Sequence, residues 1–149
     1  MPRSVIYQGD LDELLEQYKD RFVLDGECAK LPQGLTDVGH SSRWQPGPRV
    51  VDLAYLLPGT VIANFKFDSH GVGRYPNQHG YHAGLFVQHE HRTLSNGMVS
   101  LFLMIDQWVG NHPKTVSMRP LPGFAADFAQ AHHIFPCDNA NDFYVVVVP

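Results

Sequence analysis

Three side chains of this 149-residue chain have the chemistry of a thiol-dependent reaction, and each sits where local structure would sharpen it. Cys28 follows the Asp25-Gly26 break and opens a stretch in which Cys28, Leu31, Leu35 and Val38 share helical spacing. A helix N-terminus lowers a thiol pKa through its partial positive charge and unpaired N–H groups. The same N–H groups can hold an oxyanion. Pro32 has no N–H to give to the carbonyl of residue 28, so the helix must start near Cys28 or just after it. His82 opens the apolar run Ala83-Gly84-Leu85-Phe86-Val87, where a strand-edge imidazole facing a cleft can act as general base. Asp106 closes the run Leu101-Phe102-Leu103-Met104-Ile105, and a carboxylate there can hold an imidazole in one tautomer and orientation. Taken singly, each has a plainer role as a buried small hydrophobe, a structural histidine or a solvated acid.

Pairing the strands at 81–89 and 99–108 changes the balance. A loop over 90–98 centres the hairpin on Leu94 and sets His82 directly across from Asp106, with Cβ atoms about 5 Å apart. A two-residue turn at Asn96-Gly97 would move the register and separate them. The longer loop is preferred because 90–98 is polar and begins and ends where the alternation fades.

The nine histidines raise a metal site as the rival chemistry. His79 and His82 form H-x-x-H, His89 and His91 form H-x-H, and His70 and His112 lie nearby in sequence. However, the chain has no H-E-x-x-H and no cysteine pair at zinc-ligand spacing, so no metal ligand is assigned. Trp44, in Arg43-Trp44-Gln45-Pro46-Gly47, either lines a substrate groove or anchors its loop. Asn77, Gln78 and Tyr81 precede the candidate base and are either substrate contacts or turn residues.

The elements that must position these groups follow from periodicity. Asp10 caps a helix over 11–22, with Glu13 completing a capping box, and Leu11, Leu14, Leu15, Tyr18 and Phe22 form one apolar face. Residues 40–60 read as a loop with an ordered stretch at 50–57. Strands are expected at 60–67, 81–89, 99–108 and 143–148, with a polar loop at 68–80. No element is assigned between 109 and 142, where His132 and His133 fall. Helices followed by strands predict an α+β fold with an antiparallel sheet, formed by a single domain spanning 1–149.

Hydrophobic residues make up 44% and charged residues 17%, which suits a chain that buries a core. A net charge of −4 argues against nonspecific nucleic-acid binding, and the scattered basic residues form no membrane-surface patch. No segment reaches the roughly 18 apolar residues of a membrane span. The N-terminus has no apolar signal region, which predicts a protein made in the cytoplasm. Two cysteines, Cys28 and Cys137, make no disulfide framework.

Gly26-Glu27-Cys28-Ala29, then Leu57-Pro58-Gly59-Thr60-Val61, then Gly80-Tyr81-His82-Ala83-Gly84-Leu85-Phe86-Val87, then Ile105-Asp106-Gln107-Trp108, resemble in order the motifs of NlpC-type and CHAP-type papain-like cysteine hydrolases. The chain looks especially similar to small bacterial members and, in plan, to type VI secretion amidase effectors. The resemblance covers roughly residues 24–108 and the final strand. It implies an antiparallel sheet packed against N-terminal helices, with Cys28 as nucleophile, His82 as base and Asp106 as orienting residue. It also implies an amidase or endopeptidase acting on peptidoglycan stem peptides without a cofactor. The third residue varies in such families, which makes Gln107 a further site candidate, assigned to substrate binding because on a strand it should point away from Asp106. By analogy with effectors, delivery into the periplasm of a target cell and an immunity-protein partner are implied. Pro32 and Gly34 depart from the family pattern by shortening the cysteine helix. Two other readings compete: a non-catalytic binding module on the same fold, and a histidine-based metal hydrolase.

Overall fold

The computed structural model describes residues 1–90, 94 and 97–149. The elements in chain order are β1 (Arg3–Ser4), α1 (Leu11–Gln17), α2 (Lys30–Leu35), β2 (Gln45–Arg49), β3 (Val61–Ala63), β4 (Lys66–Phe67), β5 (Gly73–Arg74), β6 (Ala83–His89), β7 (Met98–Trp108), β8 (Lys114–Phe124), α3 (Ala126–Ala131) and β9 (Tyr144–Val148). Seven strands build one antiparallel sheet in the order β1-β9-β3-β6-β7-β8, with β2 also paired to β9. β4 and β5 form a separate small ribbon. The architecture is α+β, as the run of helices and then strands predicts. Among the described residues, no helix is long and apolar enough to cross a membrane.

Strand alternation divides the core between the two faces of the sheet. Val61, Ala63, Leu85, Ile105 and Val116 pack under the two N-terminal helices with Leu14 and Leu31. Ile62, Phe86, Phe102, Met104, Leu121 and Val145 fill the other face against Val50, Ala140 and Phe143. β3 is therefore buried on both faces, and its apolar run Val61-Ile62-Ala63 shows the composition expected of a doubly covered strand.

α1 is shorter than the apolar pattern predicts. Asp10 caps it by accepting from the Glu13 N–H at 2.9 Å, but the helix ends at Gln17 and the backbone turns left-handed at Asp20 (φ 59°). Residues 45–49, expected as loop, pair with β9 despite two prolines. The expected strand at 60–67 divides after Ala63, and Lys66–Phe67 turns away to pair with Gly73–Arg74. The largest departure is β8, an 11-residue strand in the unassigned region. It contains Pro120 and Pro122 and lies at the sheet edge, where outward-facing positions need no N–H for the ladder.

The β6–β7 register also differs from expectation. Next to the turn, His89 faces Phe102, which lies between the two registers considered; Asn96 of the shorter turn is outside the described residues. A bulge between Phe86 and Gln88 then sets Leu85 opposite Ile105. One residue further on, the ladder places Gly84, not His82, across from Asp106. The slip is even, so His82 and Asp106 stay on the same face and meet on the diagonal. Glycine is needed at the intervening position. A Cβ on Gly84 would stand 2.7 Å from the Ile105 carbonyl oxygen and 3.2 Å from the Asp106 Cβ. Gly84→Ala should therefore destabilise the protein by about 1–3 kcal/mol, read as a lower urea midpoint with an unchanged slope.

Candidate active site

The two halves of the site are held by consecutive residues of β7 that point to opposite faces. Asp106 and Gln107 are both fully buried. On one face, Asp106 Oδ2 accepts from His82 Nε2 at 2.7 Å. On the other, the Gln107 amide bonds the segment carrying the cysteine. Its Oε1 accepts from the Val23 N–H at 2.8 Å, and its Nε2 donates to the carbonyls of Val23 (3.0 Å) and Glu27 (2.9 Å). Gln107 thus fixes the backbone just before Cys28 and has no side-chain atom left for substrate. Its sequence-based assignment to substrate binding is corrected accordingly.

Cys28 lies in a turn immediately before α2, which begins at Lys30. Pro32 is accommodated because the Leu31 N–H takes the Cys28 carbonyl at 3.3 Å. The thiol faces the Tyr75 hydroxyl at 3.2 Å and interacts with the imidazole of His82. With Nε2 committed to Asp106, Nδ1 is the nitrogen left for sulfur.

His82 is pinned at its main chain as well. Asn64, at the end of β3, accepts the His82 N–H at 2.9 Å through Oδ1. Its Nδ2 donates to the carbonyls of Pro136 (3.1 Å) and Asp142 (2.7 Å). The Cys137 N–H in turn donates to the Gly80 carbonyl at 3.0 Å, which fixes the wall of the cleft beside the histidine.

Two further cations close on Asp106. Lys114 Nζ reaches Oδ1 at 2.7 Å and Arg119 Nε reaches Oδ2 at 2.7 Å. Trp108 packs edge-on to His82, with ring centroids 5.9 Å apart, and lies under both cations. The carboxyl proton is consequently lost far more easily than usual. Burial opposes ionisation, and the hydrogen bond and charge of His82, with Arg119 and Lys114, overcome it. Burial likewise opposes the charged imidazole, but the bonds to Asp106 and Cys28 raise His82 to about 9. The Cys28 thiol is pushed up by burial and pulled below its ordinary value by His82, by Tyr75 and by the Ala83 backbone. Burial and the facing Cys28 hold the Tyr75 hydroxyl protonated far above its usual range, so it serves as donor to sulfur. Both shifts favour the charged forms, thiolate on Cys28 and imidazolium on His82.

Asn77 and Tyr81 line the same cleft, of about 510 Å³, as Cys28 and His82. Trp44 does not: it is 2% exposed, donates to the Gly39 carbonyl at 3.1 Å and packs behind Tyr75 with centroids 5.0 Å apart. Its assignment to a substrate groove is corrected to loop anchoring, as its large apolar surface favours burial. Sequence reasoning missed Tyr75, Asn64, Lys114 and Arg119. Asn64 carried a signal, a lone amide inside an apolar strand. Tyr75 sits in a polar loop and the two cations in an unassigned strand, so neither carried one. Among the described residues, no three histidine, cysteine or acidic side chains converge to hold a metal. His91 of the H-x-H pair lies outside the described residues. Both cysteines are free, and burial with nearby Asp138 pushes Cys137 up to about 11.

The Cys28 thiol and the His82 imidazole therefore meet in one cleft, with the buried Asp106 carboxylate behind the imidazole. A solved structure titled "Type 6 secretion amidase effector 2 (Tae2)" matches with a TM-score of 0.66 and 25% identity, covering 97% of this chain and 94% of that one. The chain thus has the fold of an amidase effector over nearly its whole length. No family model and no curated protein matches it.

Iodoacetamide separates the two thiols. Its rate at Cys28 should rise with pH through a midpoint below the ordinary thiol value of 9.0, whereas Cys137 should respond only near 11. Peptide mass mapping across a pH series reads both; equal midpoints would contradict the ion pair.

Proposed function

We propose that the protein is a cysteine amidase that hydrolyses amide bonds in peptidoglycan stem peptides, with Cys28, His82 and Asp106 as its catalytic triad. The observation that carries this reading is the His82–Asp106 bond of 2.7 Å in the cleft that Cys28 also lines. The likeness to Tae2 over almost the whole chain supplies the amide-hydrolysing class.

In this mechanism the Cys28 thiolate attacks the amide carbonyl while the His82 imidazolium is held by Asp106. Backbone N–H groups around Cys28 and the Tyr75 hydroxyl, 3.2 Å from the sulfur, donate to the oxyanion. The imidazolium then gives its proton to the departing amine, leaving a thioester on Cys28. Neutral His82 next draws a proton from water, and the hydroxide so formed releases the acyl group. No cofactor takes part in any of these steps. The subtype follows the motif order: a papain-like hydrolase of the NlpC or CHAP kind. By the same analogy its place of action is the periplasm of a target cell, and an immunity protein guards the producing cell.

Purified peptidoglycan incubated with the wild type should release new peptide fragments in mass spectrometry, and Cys28→Ala should lower the rate about a thousandfold or more. Undiminished cutting by Cys28→Ala would end the nucleophile assignment. The step that protonates the amine requires charged His82, so kcat/KM should fall on the alkaline side with a midpoint near the His82 value of about 9. A flat profile through that range would remove His82 as the acid.

A further inference from the structure

Lys114 and Arg119 both bond Asp106, but they are placed differently. Lys114 Nζ is saturated: it donates to Asp106 Oδ1 (2.7 Å), the Asp106 carbonyl (2.9 Å) and the Ser117 carbonyl (2.7 Å). It does not line the cleft. Arg119 spends only Nε on Asp106, and its two Nη groups have no partner among the described residues. Its side chain is 21% exposed, lies with its Cζ 5.1 Å from the Trp108 ring centre and lines the cleft that holds Cys28.

Charge balance points to the same atoms. Asp106 is faced by three basic side chains, His82, Lys114 and Arg119, and Cys28 when ionised adds one further negative charge. Within this contact cluster, before Glu27 and Asp138 of the cleft lining are counted, at least one positive charge is left over, and it reaches the cleft at Arg119. A lysine would suffice to neutralise Asp106; a guanidinium can in addition present a second pair of donors to a second carboxylate. Glu27 and Asp138 also line the cleft, and neither lies within ion-pair distance of Arg119 among the described residues. These acids oppose a multiply charged group such as a phosphate, which leaves a single carboxylate as the fitting anion.

We infer that the free Nη groups of Arg119 form a subsite for a substrate carboxylate next to the amide that Cys28 attacks. Arg119 is thus a specificity-determining residue, and the substrate class narrows to peptides with a free carboxylate beside the scissile bond. The inference rests on the amidase reading for its substrate, but not for its test.

The test compares alkylation of Cys28 in the intact 149-residue chain by iodoacetate and by its neutral isostere iodoacetamide; in both cases the thiolate displaces iodide. The ratio of the two rates cancels changes in thiol reactivity. Arg119→Gln should lower the iodoacetate-to-iodoacetamide ratio at Cys28 about tenfold, the scale of one charged hydrogen bond. Lys114→Gln removes equal charge from Asp106 and should leave the ratio near that of the wild type. If Arg119→Gln does not fold, Arg119→Lys keeps the charge and one contact but not the fork, and should lose most of the preference. A ratio unchanged by the Arg119 variants, or lowered as much by Lys114→Gln, would overturn the subsite. In parallel, wild type should cut sacculi at least about tenfold faster than sacculi whose carboxylates are converted to carboxamides, and Arg119→Gln should lose that preference. Equal cutting of both substrates by wild type would also overturn the subsite. If wild type cuts neither, the amidase reading fails while the alkylation ratio still decides the subsite.

Discussion

A fully buried carboxylate organises this protein. Taking an ion such as Asp106 out of water costs several kcal/mol even after relaxation. The sheet offsets that cost by bringing His82, Lys114 and Arg119 to its two oxygens. Those partners come from β8 and from the start of β6, so the strands flanking β7 are tied at one point. The fold must keep all of them in register for the acid to be tolerated at all.

The alternation of β7 extends that constraint to the cysteine. Gln107, the next residue, points through the sheet to the helix face and grips the backbone at Val23 and Glu27. Two successive side chains thus hold the histidine from one face and the thiol-bearing turn from the other. Asn64 adds a third fixation, joining the His82 main chain to the 136–142 segment. Each of these amides is buried with its donors and acceptor paired, which is the condition for a buried polar network to specify one arrangement.

Charge is passed along this framework rather than concentrated on one residue. Lys114 and Arg119 keep Asp106 ionised, Asp106 raises His82, and His82 with Tyr75 lowers Cys28. α2 is only six residues long, so its dipole is a smaller influence on the thiol than these side chains. Cys137 lines the same cleft, but burial and Asp138 push its thiol the other way. Neighbouring charges, not mere cleft position, separate the two cysteines.

Much of this was legible in the residues. The apolar runs marked the central strands β3, β6, β7 and β9, the Asp10 cap marked the start of α1, and the ends of two runs marked His82 and Asp106. Local periodicity carries that information because each strand alternates faces regardless of its neighbours. Pairing is a different matter. The bulge after Phe86 and the diagonal meeting across Gly84 depend on which strands lie side by side, and β8 was hidden because its prolines read as turns until its edge position is known. The roles of Trp44 and Gln107 turned on what packs against them, and Tyr75, Lys114 and Arg119 reach the site only through the folded sheet. Sequence by itself determined the residue types and the face each strand residue takes. Tertiary structure alone decided register, burial and charge pairing, because these are properties of contacts between segments far apart in the chain.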